Sequence, residues 1–203
     1  EIRFGELAHF HKAPFIPFYG TADASILYLI VLSEAYRWTD DVELLKEYQD
    51  TAIKCLEWID RYGDLDGDGF QEYKSFSLSP YHYENVGWKD AFDAVVYADG
   101  TQVKQPKGLC ELQGYVYDAK VRMAEVFQRL GDEARAQTLQ QQAEHLKHAF
   151  NERFWMEDEG CFAYGLDPDK KQITAIASNA GQCLWSGIAD QEKAERTAWR
   201  LLQ

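Results

Sequence analysis

LCELQGYVYDAKVRMAEVFQRLGDEARAQTLQQQAEHLKHAF, residues 109–150, decides the fold class. Leu112, Val116, Ala119, Met123, Val126 and Leu130 recur at spacings of three and four, which puts them on one stripe of a helix. Gly131 and Asp132 then supply a helix stop and the cap of a new one. Leu139, Ala143, Leu146 and Phe150 form the facing stripe, so the segment predicts two antiparallel helices joined by a tight turn.

Working outward, the same pattern repeats on both sides. SILYLIVLSEAYRW, within Asp23–Trp38, is dense enough in apolar residues for a helix buried on most sides. Thr39–Asp41 stops it and caps a second helix, whose stripe is Leu45, Tyr48, Ala52, Cys55 and Ile59. Gly63 reads as that helix's C-cap. Downstream, CFAYGL and KKQITAI flank Asp167–Asp169 as a small β-hairpin, a helix resumes near Asn179, and another follows a cap at Asp190. The organisation is helix pair, long loop, helix pair, loop, helix pair: an all-α architecture. Loops of this length are uncommon between packed helices unless they serve a function.

Composition narrows the partners. The 203 residues carry 34 acidic against 21 basic side chains, a net charge of -13, which repels phosphate backbones and anionic membranes. Hydrophobic residues make up 46%, enough for a real core, yet no run approaches the roughly 20 apolar residues that span a bilayer. The N-terminal EIRFGELAHFHKAPF lacks the basic-then-apolar order of a signal peptide. Cys55, Cys110, Cys161 and Cys183 are scattered, with no zinc-type spacing, and fit reduced thiols in a cytoplasmic protein. Aromatics reach 14%, with 6 Trp and 12 Tyr, enough to fill a core and to wall a site for ring-shaped ligands.

Five clusters hold the polar chemistry, four of them at or near helix starts. In FYGTADAS, 18–25, Tyr19, Thr21 and Asp23 precede the first helix. In GDLDGDGFQEY, 63–73, Asp64, Asp66 and Asp68 alternate ahead of Gly69 like the opening of a calcium loop. The twelfth position is Ser75 where an EF-hand needs Glu, and Glu72 falls at the ninth, so the choice lies between an Asp/Gly turn and a structural calcium site completed from elsewhere. In ENVGWKDAFDAV, 84–95, Asp90 beside an indole suits a general acid, while Lys89–Asp90 also suits an exposed ion pair. LCELQGYVY contributes Glu111, Gln113 and Tyr115, and ASNAGQCLWSGIA, 177–189, contributes Asn179, Gln182 and Trp185. Helix starts of this kind can converge on one end of a helical barrel as a carboxylate-rich, aromatic-walled cup.

Taken in order, PFYGTADASILYLIVLSEAYRWT, YGDLDGDGFQEY, NVGWKDAFDAV with ADG, LCELQGYVYDA and SNAGQCLWSGIAD resemble the six-hairpin glycosidases. The branch they most resemble is the amylo-α-1,6-glucosidase and glycogen-debranching-like one. The resemblance spans nearly the whole chain. It implies an (α/α)6 toroid with a sugar site at one end, a carbohydrate substrate with α-glucosidic bonds, and hydrolysis with inversion by two carboxyl groups, with no cofactor required. By that resemblance Asp90 is the general acid. Trp88 and Lys89 flank the sugar, and Tyr19, Asp23, Glu72, Glu111, Gln113, Tyr115, Asn179 and Trp185 line the cup. Ala91 and Phe92 depart from the small polar pair expected after the acid.

Six hairpins of roughly 60–70 residues need on the order of 400 residues. Residues 1–203 are therefore expected to form about half of the toroid, with a second copy as one way of covering the open side; the resemblance implies a general base in the later part. The competing readings are a non-catalytic carbohydrate-binding helical domain and an epimerase- or lyase-type barrel. The latter needs a His pair in the cup, and His82 alone does not supply one.

Overall fold

The computed structural model describes residues 20–75 and 84–203. Six α-helices dominate: α1 (Ala24–Thr39), α2 (Val42–Trp58), α3 (Cys110–Arg129), α4 (Glu133–Arg153), α5 (Asn179–Ser186) and α6 (Gln191–Leu201). Helices α1 and α2 pack against one another, as do α5 and α6, and α3 packs against α4, α5 and α1. The described residues form no closed barrel, and the architecture is that of part of an all-α toroid. Among the described residues no helix is long and apolar enough to cross a membrane.

The expected stops and caps are in place where the chain needs them. Asp40 ends α1 in the left-handed region, φ 52°, and Asp41 caps α2 by accepting the backbone N–H groups of Glu43 and Leu44. Gly131, φ 83°, turns the chain between α3 and α4, and the Asp132 carboxylate accepts from the N–H of Arg135. Two expectations need correction. Gly63 is no left-handed cap: α2 passes into a π-helical turn, Ile59–Gly63, and a Cβ on Gly63 would lie only 2.0 Å from the Gln71 side-chain oxygen. What a side chain there would meet is the end of Gln71, not a φ restriction. Asp190 precedes α6 without a side-chain cap bond, and its own N–H donates to Asn151 Oδ1.

The hairpin expected around Asp167–Asp169 is present, and three more two-residue strands lie among the described residues. β4 (Gly165–Leu166) pairs antiparallel with both β5 (Gln172–Ile173) and β1 (Gly108–Leu109), while β2 (Trp155–Met156) pairs with β3 (Cys161–Phe162). The β1–β4 pairing, extended by the Cys110 N–H donating to the Tyr164 carbonyl, fixes where α3 begins.

The core absorbs much of the aromatic content. Phe150 stacks on Phe154 and on Phe162, and Phe70 meets Phe154 edge-on at 5.1 Å. Each such fully buried ring contributes about 1.5–3 kcal/mol of burial free energy. The first helix is less enclosed than its composition suggests: Ile26, Leu29, Ile30 and Leu32 are buried, but Val31 and Trp38 face outward.

Candidate functional site

Three helix starts and one loop meet. Glu111 lies in the first turn of α3, and Asn179 opens α5; Asn179 Nδ2 donates to Glu111 Oε1 at 2.7 Å. Asp23, at the head of α1, is bonded by the backbone of Trp88, and the Ala22 N–H donates to the Val86 carbonyl. The Trp88 loop is thereby tied to α1. Lys89 Nζ sits 5.1 Å from the ring of Trp88 and 5.1 Å from that of Tyr164, a cation between two π faces. Tyr115 meets Trp185 edge-on at 6.2 Å.

The electrostatics follow from burial. Glu111 is 2% exposed, and desolvation pushes its carboxyl up to about 7, against the opposing help of its backbone, of Asn179 and of the Lys89 charge. Asp23 is also raised by burial, with backbone N–H groups pulling the other way. Tyr115 is pushed up to about 12 by burial and then by the Glu111 and Asp23 charges. Both carboxyl charges are thus felt at the Tyr115 hydroxyl. Trp88 and Trp185, 51% and 57% exposed, offer open indole faces. Such a set can grip hydroxyls through carboxyl and amide groups and stack on apolar ring faces.

The expected site residues therefore divide. Asp23, Trp88, Lys89, Glu111, Tyr115, Asn179 and Trp185 are brought together. Asp90 follows Lys89 directly and is exposed. Tyr19 lies outside the described residues, as does His82. Gln113 is engaged elsewhere: its Oε1 accepts the Gln71 N–H, and its Nε2 donates to the carbonyls of Gln71 and Leu109, so it fastens the 63–73 loop to α3. Glu72 is buried against Lys170, whose ammonium also contacts Asp66 at 2.8 Å and Asp68 at 2.9 Å. Sequence reasoning missed Tyr164, Lys170, Asn85 and Lys107, since none sits in a pattern that announces contacts so far along the chain.

The Asp64, Asp66 and Asp68 oxygens lie within 4.8 Å of one another, close enough for one cation. Their bonds, however, are those of a turn. Asp64 accepts the N–H groups of Gly67, Asp68 and Gly69, Asp68 accepts that of Phe70, and the Lys170 ammonium supplies positive charge. The oxygens a calcium ion would need are largely engaged.

A groove of 580 Å³ on another face is lined by Glu144, Lys147, His148 and Asn151 from α4 and by Asp190 and Lys193. Lys147 donates to the Gly187 carbonyl, Lys193 to that of Asn151, and Asn151 to that of Ile188. These bonds clamp α4 to the segment joining α5 and α6.

Residues 110–203 match the family model described as Trehalase, a family of the six-hairpin glycosidase superfamily. The match runs from the first residue of α3 to the last of the chain, a little under half of it. It includes Glu111, Tyr115, Asn179 and Trp185, while Trp88, Lys89 and Asp90 precede it. No curated protein matches the chain. The match supports a glycoside hydrolase-like domain.

Proposed function

We propose that this domain acts on α-glucosidic oligo- or polysaccharides, gripping the sugar in the cup between Asp23, Glu111 and Asn179 and stacking it on Trp88 and Trp185. The observations that support the reading are the bond of the Trp88 backbone to buried Asp23, the Asn179–Glu111 bond, and the exposed indoles of Trp88 and Trp185. In this reading Asp90 donates a proton to the leaving glycosidic oxygen. An inverting displacement needs a second carboxylate about 6.5–9.5 Å away to activate water, and the reading assigns that part to none of the described residues. The family match adds trehalose, an α-glucosidic disaccharide, to the α-1,6-linked substrates that the sequence resemblance suggests.

Titrating the purified chain with trehalose, isomaltose and cellobiose while following tryptophan emission tests this. The expected result is saturable quenching by the α-glucosides alone, weakened by about tenfold in Trp88→Ala or Trp185→Ala through loss of stacking. Hydrolysis is expected to be slight or nil. Absence of α-glucoside binding refutes the reading; inverting turnover lost in Asp90→Asn would place both carboxylates in this chain.

The exposure of Asp90 favours one second reading, a non-catalytic carbohydrate-binding domain, since a general acid acts in a site shielded from water. Sugar binding without turnover, even when the later part of a toroid is supplied in trans, would select it.

A further inference from the structure

The loop that carries Trp88, Lys89 and Asp90 is closed on itself by one side chain. Asn85, 1% exposed, reaches across the loop and donates from Nδ2 to the Ala91 carbonyl at 2.6 Å and to that of Phe92 at 3.4 Å. The amide's direction is not free. Its Oδ1 accepts from the Lys107 ammonium at 2.8 Å and from the Tyr73 hydroxyl at 2.9 Å. An ammonium has no acceptor, so the oxygen must face Lys107, and the NH2 must then face Ala91.

Lys107 is itself among the most enclosed side chains, 1% exposed, with its charge answered by Glu84 Oε1 at 3.3 Å. Its backbone exchanges both hydrogen bonds with Tyr73. The loop's base is held further by Gln105 Nε2 on the Glu84 carbonyl and by Gln102 Nε2 on that of Phe92. A buried charge is costly unless its partners are well placed. Here the arrangement converts that requirement into the orientation of one amide.

We propose that Asn85, oriented by Lys107 and Tyr73, is the positioning residue that holds the Trp88–Asp90 segment at the sugar cup. The proposal rests on the glycosidase-like reading for what the segment does, and on the hydrogen bonds alone for how it is held. Asn85 touches no sugar in this scheme; it acts through the Ala91 carbonyl immediately after Asp90.

Asn85→Asp separates positioning from simple support. A carboxylate keeps an acceptor for Lys107 and Tyr73 and strengthens the pair with the ammonium, but it sets a bare oxygen against the Ala91 carbonyl. If Asn85 only satisfies Lys107, this variant behaves like the parent or melts higher. If it positions the loop, amide exchange within residues 86–93 quickens by roughly three- to tenfold, the effect of one or two lost hydrogen bonds. Exchange in the α3 and α4 peptides stays unchanged, and affinity for trehalose or isomaltose falls by a similar factor.

The experiment is hydrogen–deuterium exchange read by mass spectrometry on the parent chain, Asn85→Asp and Tyr73→Phe, with tryptophan-emission titrations alongside. Tyr73→Phe removes one of the two donors that orient the amide and is expected to loosen the same residues by a smaller factor. It keeps the question answerable if the aspartate variant fails to fold. Parent-like exchange at 86–93 in the folded variants overturns the proposal. Faster exchange in variants of a parent that binds no α-glucoside supports the clamp and overturns the glycosidase-like reading instead.

Discussion

Replacing Glu111 by glutamine tests the electrostatics of the cup most directly. The carboxyl is buried beneath Asn179, and desolvation raises it from an ordinary 4.5 to about 7. In the unfolded chain the same group releases its proton near its ordinary value. Between roughly pH 4.5 and pH 7 the folded chain therefore holds a proton that the unfolded chain has lost, and stability falls as pH rises through that window. Below the window both states are protonated and the group costs nothing; above it both are ionised and the deficit is constant. At about 1.4 kcal/mol per pH unit, the full deficit is on the order of 3 kcal/mol. Glutamine keeps an oxygen for Asn179 and never ionises. Glu111→Gln is thus expected to match the parent near pH 4.5 and to exceed it by on the order of 3 kcal/mol at pH 8. Urea denaturation of both proteins across pH 4.5–8 measures the difference and cancels every other titrating group. A stability difference that stays flat across that range refutes the reasoning.

Other perturbations have equally definite outcomes. Gly165→Ala puts a methyl 2.8 Å from the Gly108 carbonyl oxygen and 3.2 Å from Leu109 Cα, so it should cost about 1–3 kcal/mol in thermal denaturation and shift the start of α3. Asp41→Ala removes the acceptor for two N–H groups at the head of α2 and should cost about 1 kcal/mol by the same measurement. Millimolar calcium should move the parent's melting temperature by less than about one degree, because the Lys170 ammonium already answers Asp66 and Asp68. Lys170→Met should melt lower and acquire a calcium response; a parent that calcium stabilises by several degrees would assign the loop to the metal.

The helices were legible because their determinants are local. The Leu112–Leu130 stripe, the Gly131 turn and the Asp41 cap each lie within a few residues of what they control. The cup was legible only as a suspicion, through polar clusters repeated at helix starts. The residues that misled did so through long-range partners. Gln113 has the character of a ligand-facing amide, but its groups are taken by the Gln71 backbone, 42 residues earlier. Gly63 has the look of a cap, but it lies inside a π-helical turn packed against the Gln71 side chain. Phe70, Phe150, Phe154 and Phe162 count toward the same aromatic surplus as Trp88 and Trp185, and only packing separates core rings from open faces. Lys107 and Lys170 resemble surface lysines in any window of the sequence, since burial of a charge depends on partners that no local pattern contains.

Lys170 also bears on the order in which the chain becomes structured. It sits at the tip of the β4–β5 turn in the left-handed region, φ 61°, and reaches back 98 residues to Glu72. Closing so long a span costs entropy that nearer contacts do not. Synthesis delivers the acidic loop well before its cation, so a nascent chain that has passed Tyr73 carries three neighbouring carboxylates without their counter-charge. Chains truncated between Arg153 and Lys170 and released from the ribosome should therefore show α1–α4 protected from proteolysis while residues 63–73, although tied to α3 by Gln113, are still cleaved. The loop becomes resistant only once the β4–β5 turn has emerged, making a late-made lysine the latch on an early-made segment.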